Sequence, residues 1–161
     1  MSRYHTTYIS ATASAVDTSF GGIACIAGGG FNLRRITGGL VTVGSASAPP
    51  DQNCSLGIAR ITAQGTGGIA TTPVTTKLNQ NSPAAVMLPF LTYTTVQPTF
   101  AAGTSDDFQI PVSSRGGFDL YWEGVEEFQF LAGVANGFLL VNRQNALTSP
   151  LAFKVDVEWE E

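Results

Sequence analysis

The only histidine of the chain is His5, within the opening stretch MSRYHTTYIS. A Ser–His–Asp or Cys–His mechanism needs an imidazole held beside its nucleophile and oriented by a third group. A histidine in a Thr-, Ser- and Ala-rich terminal segment is poorly placed for that. Cys25 and Cys54 lie in apolar stretches, GGIACIAGGG and NCSLGIARI, and read as buried free thiols. A disulfide between them would require the two segments to be neighbouring strands, which the sequence leaves open. Two cysteines and one histidine without short spacing do not make a structural zinc site. GGGFNLRR and GTGG are glycine-rich but lack the Lys-Ser/Thr of a phosphate loop, so they read as turns and bulges.

The acids form three clusters: Asp106–Asp107, Glu126–Glu127, and Glu158, Glu160 and Glu161. Two carboxylates across a cleft would suit glycoside hydrolysis, and loop oxygens would suit calcium. Adjacent acids on one strand point to opposite faces, however, and all three clusters read as solvated surface. Phe118, Tyr121 and Trp122 form an aromatic group that either stacks on a sugar ring or packs in a core or subunit interface. No catalytic residue, cofactor or metal ligand is expected, and the chain does not read as an enzyme.

The elements that must position these residues are strands. A chain of 161 residues favours one domain, and 43% hydrophobic residues against 12% charged ones argue for a packed core. No apolar run reaches the ~18 residues of a membrane span. The N-terminus lacks an apolar signal-type stretch, so secretory export is not expected. The net charge is −4, and the eight basic residues are scattered. Nucleic-acid binding requires a clustered basic footprint. The one basic pair, Arg34–Arg35, reads as the solvated side of a strand.

Thr, Val, Ile, Phe, Gly and Ser dominate, and helical periodicity is absent. Residues 1–19 read as an extended N-terminal arm, either a first strand or an arm laid on a partner. In the second case Arg3, Tyr4, His5, Tyr8 and Ile9 supply the contacts, and deleting residues 1–15 leaves the fold intact while weakening attachment. Residues 20–161 read as a single β-sandwich domain. Gly38–Gly39 marks a bulge or a close backbone approach within a strand. Cys54, Leu56 and Ile58 share one strand face. Residues 71–85 read as a long polar connection, with Val74 and Lys77 open to a short edge segment, and Pro89 and Pro98 break the segment that follows. Asn136–Gly137 is a hairpin signal. In the last stretch, LAFKVDVEWEE, Leu151, Phe153, Val155, Val157 and Trp159 alternate with polar residues. A one-residue slip would send all of them into water, so the register is fixed and their face lines a core. The acidic tip of this strand is expected to be exposed. About eight to ten strands in a chain of this size match a jelly roll.

The chain also carries a resemblance. EGVEEFQFLAGVANGFLLVNRQNALTSPLAFKVDVEWEE (123–161) and FNLRRITGGLVTVGSASAPPDQNCSLGIARITAQGTG (31–67) resemble small proteins encoded among the head genes of tailed bacteriophages. The shared words are Arg34–Arg35, the RxTAxGT of Arg60–Thr66, Glu127–Phe128, Ala135–Gly137 and the VEWEE of Val157–Glu161, together with the QPTF of 97–100. The resemblance implies a capsid decoration, or cement, protein with a jelly-roll fold. It implies a homotrimer on the outer surface of the virion, made in the host cytoplasm, that clamps neighbouring major capsid protein subunits. It implies no active-site residues. The alternative is the receptor- or glycan-binding head of a phage fibre or spike, with Tyr121 and Trp122 as its platform. An enzyme built on the paired acids is the third.

Overall fold

The computed structural model describes residues 1–12, 14–44, 51–100, 108–123, 128–133 and 136–161. These form strands and no helix. In chain order the strands are β1 (Arg3–Ile9), β2 (Thr18–Ala24), β3 (Phe31–Thr42), β4 (Asn53–Ala63), β5 (Ile69–Thr71), β6 (Thr75–Lys77) and β7 (Leu88–Phe90). They continue as β8 (Thr92–Tyr93), β9 (Thr99–Phe100), β10 (Phe108–Ser113), β11 (Phe118–Tyr121), β12 (Phe128–Phe130), β13 (Gly137–Asn142) and β14 (Leu151–Glu160).

Sheet A runs β11-β3-β14-β1-β6, with β12 also on β3. Sheet B runs β10-β4-β13-β2-β7, with β9 also on β4, and β5 pairs with β8. Every pairing is antiparallel. Take β11 and β12 as one interrupted strand and set aside the short strands between β4 and β10. Eight strands remain, in the order sixth, third, eighth, first facing fifth, fourth, seventh, second. That is the double Greek key of a jelly roll. The inserted segment between β4 and β10 extends both sheets on the same side, through β6 on sheet A and β7 on sheet B. Pro89 of β7 and Pro111 of β10 sit in the end strands of sheet B, where a missing N–H is tolerated and further strand pairing is discouraged.

The core lies between the sheets. Leu151, Phe153, Val155, Val157 and Trp159 are all at most 1% exposed, as their alternation requires. Opposite them sheet B contributes Ile23, Leu56, Ile58, Phe138 and Leu140, each fully buried. Trp159 stacks on Tyr4 with ring centroids 5.6 Å apart. Gly38 meets a close approach: a Cβ there would lie 2.3 Å from the Lys154 carbonyl oxygen.

Three expectations are corrected. Residues 3–9 do not project as an arm. They form β1, hydrogen-bonded between β14 and β6, because Tyr4, Thr6 and Tyr8 alternate in step with Trp159, Val157 and Val155. Residues 10–12 and 14–17 continue along the same domain: Ser10 N–H donates to Phe153 O, Leu147 N–H to Ser14 O, and Asp17 N–H to Asn142 O. The sandwich therefore begins at residue 3, not at residue 20. Asn136–Gly137 does not close a hairpin. The strand before it, β12, belongs to sheet A and the strand after it, β13, to sheet B. The Asn136 amide instead donates to the Leu131 and Ala132 carbonyls at 3.0 and 3.1 Å. The acidic tip is not free. Glu160 is 9% exposed. The Glu161 carboxylate accepts the Val86 and Met87 N–H groups at 2.8 and 2.9 Å and the Trp159 indole N–H at 3.0 Å. The glycine pair meets the close backbone approach expected of it, and β3 carries its bulge separately, at Arg34. The acid pairs 106–107 and 126–127, and Ala135, lie outside the described residues.

Cys25 and Cys54 are free and buried. β13 stands between their strands, and the registers place them at opposite ends of sheet B. That separates them by roughly 10 Å sideways and roughly 20 Å along the strands. Disulfide geometry is out of reach. Burial pushes both thiols up to about 11. Native protein at pH 8 should therefore leave both unmodified by a thiol-specific disulfide reagent over hours, and denaturant should release two reactive thiols per chain. Rapid native labelling would contradict the packing.

Candidate functional site

The two outer faces of the sandwich differ. On sheet B, Ala24, Ala59, Ile61, Leu139 and Val141 point away from the main core. The insertion covers them with Phe90, Tyr93, Ile69 and Phe100. This second core explains why β13 reads GFLLVN without alternation and is buried at every position. Arg143 closes its edge. The guanidinium stands 4.9 Å from the Phe100 ring centroid and donates to Asp17 at 2.6 Å.

Sheet A turns its outer face outward, and no strand or loop contact comparable to that second core lies over it among the described residues. Alternation along β1, β3, β11 and β14 collects charge there. Arg3, Arg34, Arg35 and Lys154 are half of the chain's eight basic residues. Asp119, Asp156, Glu158 and Glu160 stand among them, with His5 between. In a chain with 12% charged residues this is a concentration of charge on one face.

A β-bulge makes it. Glu158 pairs with Arg35 but Trp159 pairs with Leu33, so Arg34 is the extra residue. Both adjacent arginines then reach the same side. Arg34 donates through Nε to Glu160 Oε2 at 2.5 Å, and its Nη2 meets the same oxygen. Both side chains are about 10% exposed, at 9% and 10%. Arg3 Nε lies 3.9 Å from that oxygen on the other side. Arg35 holds Asp119 by a two-pronged contact at 2.8 and 2.7 Å and has Glu158 at 3.7 Å. The hydrogen bond from Arg35 lowers the Asp119 carboxyl below its ordinary value, and Asp119 raises Arg35 in turn.

His5 spans three strands. Its Nε2 lies 3.3 Å from Asp156 Oδ1 and its Nδ1 3.3 Å from Thr76 Oγ1. Thr7 donates to the same Asp156 oxygen. Hydroxyl, imidazole and carboxylate are the residue types of an acyl-transfer relay. Here the Thr76 hydroxyl also points at the His5 carbonyl oxygen, 3.3 Å away, and the string runs across the sheet as a tie between β6, β1 and β14. His5 is thus fixed in a sheet and not in an extended arm.

The five residues expected to touch a partner divide by strand alternation. Arg3, His5 and Ile9 are on the outer face of sheet A, and Ile9 is 53% exposed. Tyr4 and Tyr8 face inward. The Tyr4 hydroxyl donates to Pro83 O at 3.1 Å and the Tyr8 hydroxyl to Gly22 O at 2.7 Å. Tyr121 and Trp122 do not form one platform either. Tyr121 is 50% exposed on the sheet A face beside Arg35. Trp122 is half-buried, with ring centroids 5.5 Å from Phe108 and 5.8 Å from Phe128. Arg60 lies over Phe128 and Phe130 in that same group, at 5.3 and 4.8 Å.

A scan against protein-family models finds no match, and searches of curated proteins and of solved structures find none.

Proposed function

We propose that this chain is a structural protein of a bacteriophage head, a decoration protein that seats on the outer capsid surface as a homotrimer and holds neighbouring major capsid protein subunits together. The virion assignment rests on the sequence resemblance. The observation that carries the docking role is the asymmetry of the two outer faces. One is covered by the chain's own insertion. The other presents a charged array most of whose members are already held by cross-strand polar contacts. A surface ordered before contact loses little side-chain entropy on binding, and fixed charges select a partner by complementarity. In this reading Arg3, His5 and Ile9 act as part of a rigid face and not as a flexible clamp.

A second reading, the glycan-binding head of a fibre or spike, is favoured by one observation: Tyr121 stands half-exposed beside the Asp119–Arg35 pair, an aromatic surface next to hydrogen-bonding groups. The two separate in one pair of assays. Mixed with heads of the phage that encodes it, the protein should co-sediment saturably, and an immobilised glycan panel should stay blank. Glycan binding that Tyr121→Ala removes, with no co-sedimentation, would overturn the decoration reading.

A further inference from the structure

The seam where both sheets end holds a cleft of about 390 Å³ between β6 and β7. Tyr4, Ala85, Met87 and Pro89 line it with apolar surface, and Lys77 is the only charged residue in the lining. Lys77 has no ion-pair partner among the described residues. Both walls are fixed. The Tyr4 hydroxyl holds Pro83, and the Glu161 carboxylate holds the Val86 and Met87 amides. Leu88, in the lining, is 39% exposed, and Val74, Leu78 and Val86, each next to a lining residue in sequence, are 83%, 52% and 51% exposed. A rigid cleft with exposed apolar surface is a mark of a protein contact. An unpaired cation in it selects for negative charge.

We propose that this cleft receives a segment of another protein that offers an apolar side chain followed by a carboxylate. The apolar group fills the space over Tyr4 and Met87, and the carboxylate pairs with Lys77. Recognition is by side chains rather than by added strand pairing, because Pro89 removes a donor from the β7 edge. This contact is separate from the sheet A face, so it stands or falls without the decoration reading.

The test needs no shell. Isotope-labelled protein is titrated with N-acetyl-leucyl-aspartyl amide and, separately, with N-acetyl-leucyl-lysyl amide, and amide shifts are followed by NMR. The acidic probe should move Thr75, Lys77, Ala85 and Met87 saturably and bind roughly threefold to fivefold more tightly than the basic one, the range of an exposed ion pair. Lys77→Gln should erase that preference. Ala85→Trp should fill the cleft and remove binding of both probes while the rest of the spectrum stays native. No saturable shifts, equal affinity for the two probes, or a preference that survives Lys77→Gln would overturn the proposal.

Discussion

A chain lacking residues 1–9 is expected to show no cooperative unfolding transition. β1 lies inside sheet A, with β14 on one side and β6 on the other. Its removal takes away Tyr4 and Tyr8, both at most 1% exposed, and strips Trp159 of its stacking partner. It also exposes the backbone of β14, the strand at the centre of the sheet. Deleting one buried aromatic side chain typically costs about 3–5 kcal/mol, and a domain of this kind has only about 5–15 kcal/mol in total. Two such losses, with the ladder, consume that margin. Circular dichroism and thermal melting of the truncated chain check this. A truncated protein that melts like the full chain would show that the segment is an appendage after all.

The second large effect centres on Glu160. Glu160→Ala leaves Arg34 charged and buried, without the carboxylate that its Nε and Nη2 meet. Breaking a buried pair in this way costs about 3–5 kcal/mol, whereas replacing both members by apolar groups is often neutral. Glu160→Ala should therefore lower stability by about 3–5 kcal/mol, and Arg34→Leu combined with Glu160→Leu should recover most of that loss. Denaturant unfolding of the single and double variants gives the comparison. A single variant within about 1 kcal/mol of the parent would mean that solvent or another acceptor compensates the Arg34 charge, and that the bulge does not bury it. The comparison bears on the proposed docking face, because the bulge is what brings Arg34 and Arg35 to one side.

How far the sequence reveals this fold can be judged from particular strands. β14 is legible because its alternation is strict and its register admits no slip. The sandwich class follows from strand formers and turn residues; the eight strands of the jelly-roll order fall within the eight to ten expected, while the described residues form fourteen because the insertion adds short strands. β1 is harder to read. Tyr4, Thr6 and Tyr8 alternate, but Thr6 is polar, and the apolar face of a segment with a threonine at its centre is weak in sequence. Asn136–Gly137 misleads because a two-residue turn signal is local, whereas the sheet to which each flanking strand belongs is decided by long-range pairing. The charged face is the least legible feature. Arg34 and Arg35 sit 84 to 126 positions from Asp119 and Glu160, and only a bulge turns both to one side. Two adjacent arginines in an otherwise alternating strand are the one local hint. The final acids look like a solvated tail because nothing local shows that Glu161 reaches the backbone of Val86 and Met87.

The most direct test of the proposed docking face is co-sedimentation of three single variants with the phage heads named in that proposal. Ile9→Glu and Lys154→Glu alter the outer face of sheet A at exposed residues outside its ion pairs. Val96→Glu alters an exposed residue of the insertion, on the other side of the sandwich. All three should fold, with melting temperatures close to that of the parent. The account predicts that Ile9→Glu and Lys154→Glu each weaken attachment at least tenfold and that Val96→Glu binds as the parent does. Full attachment of both sheet A variants would contradict it.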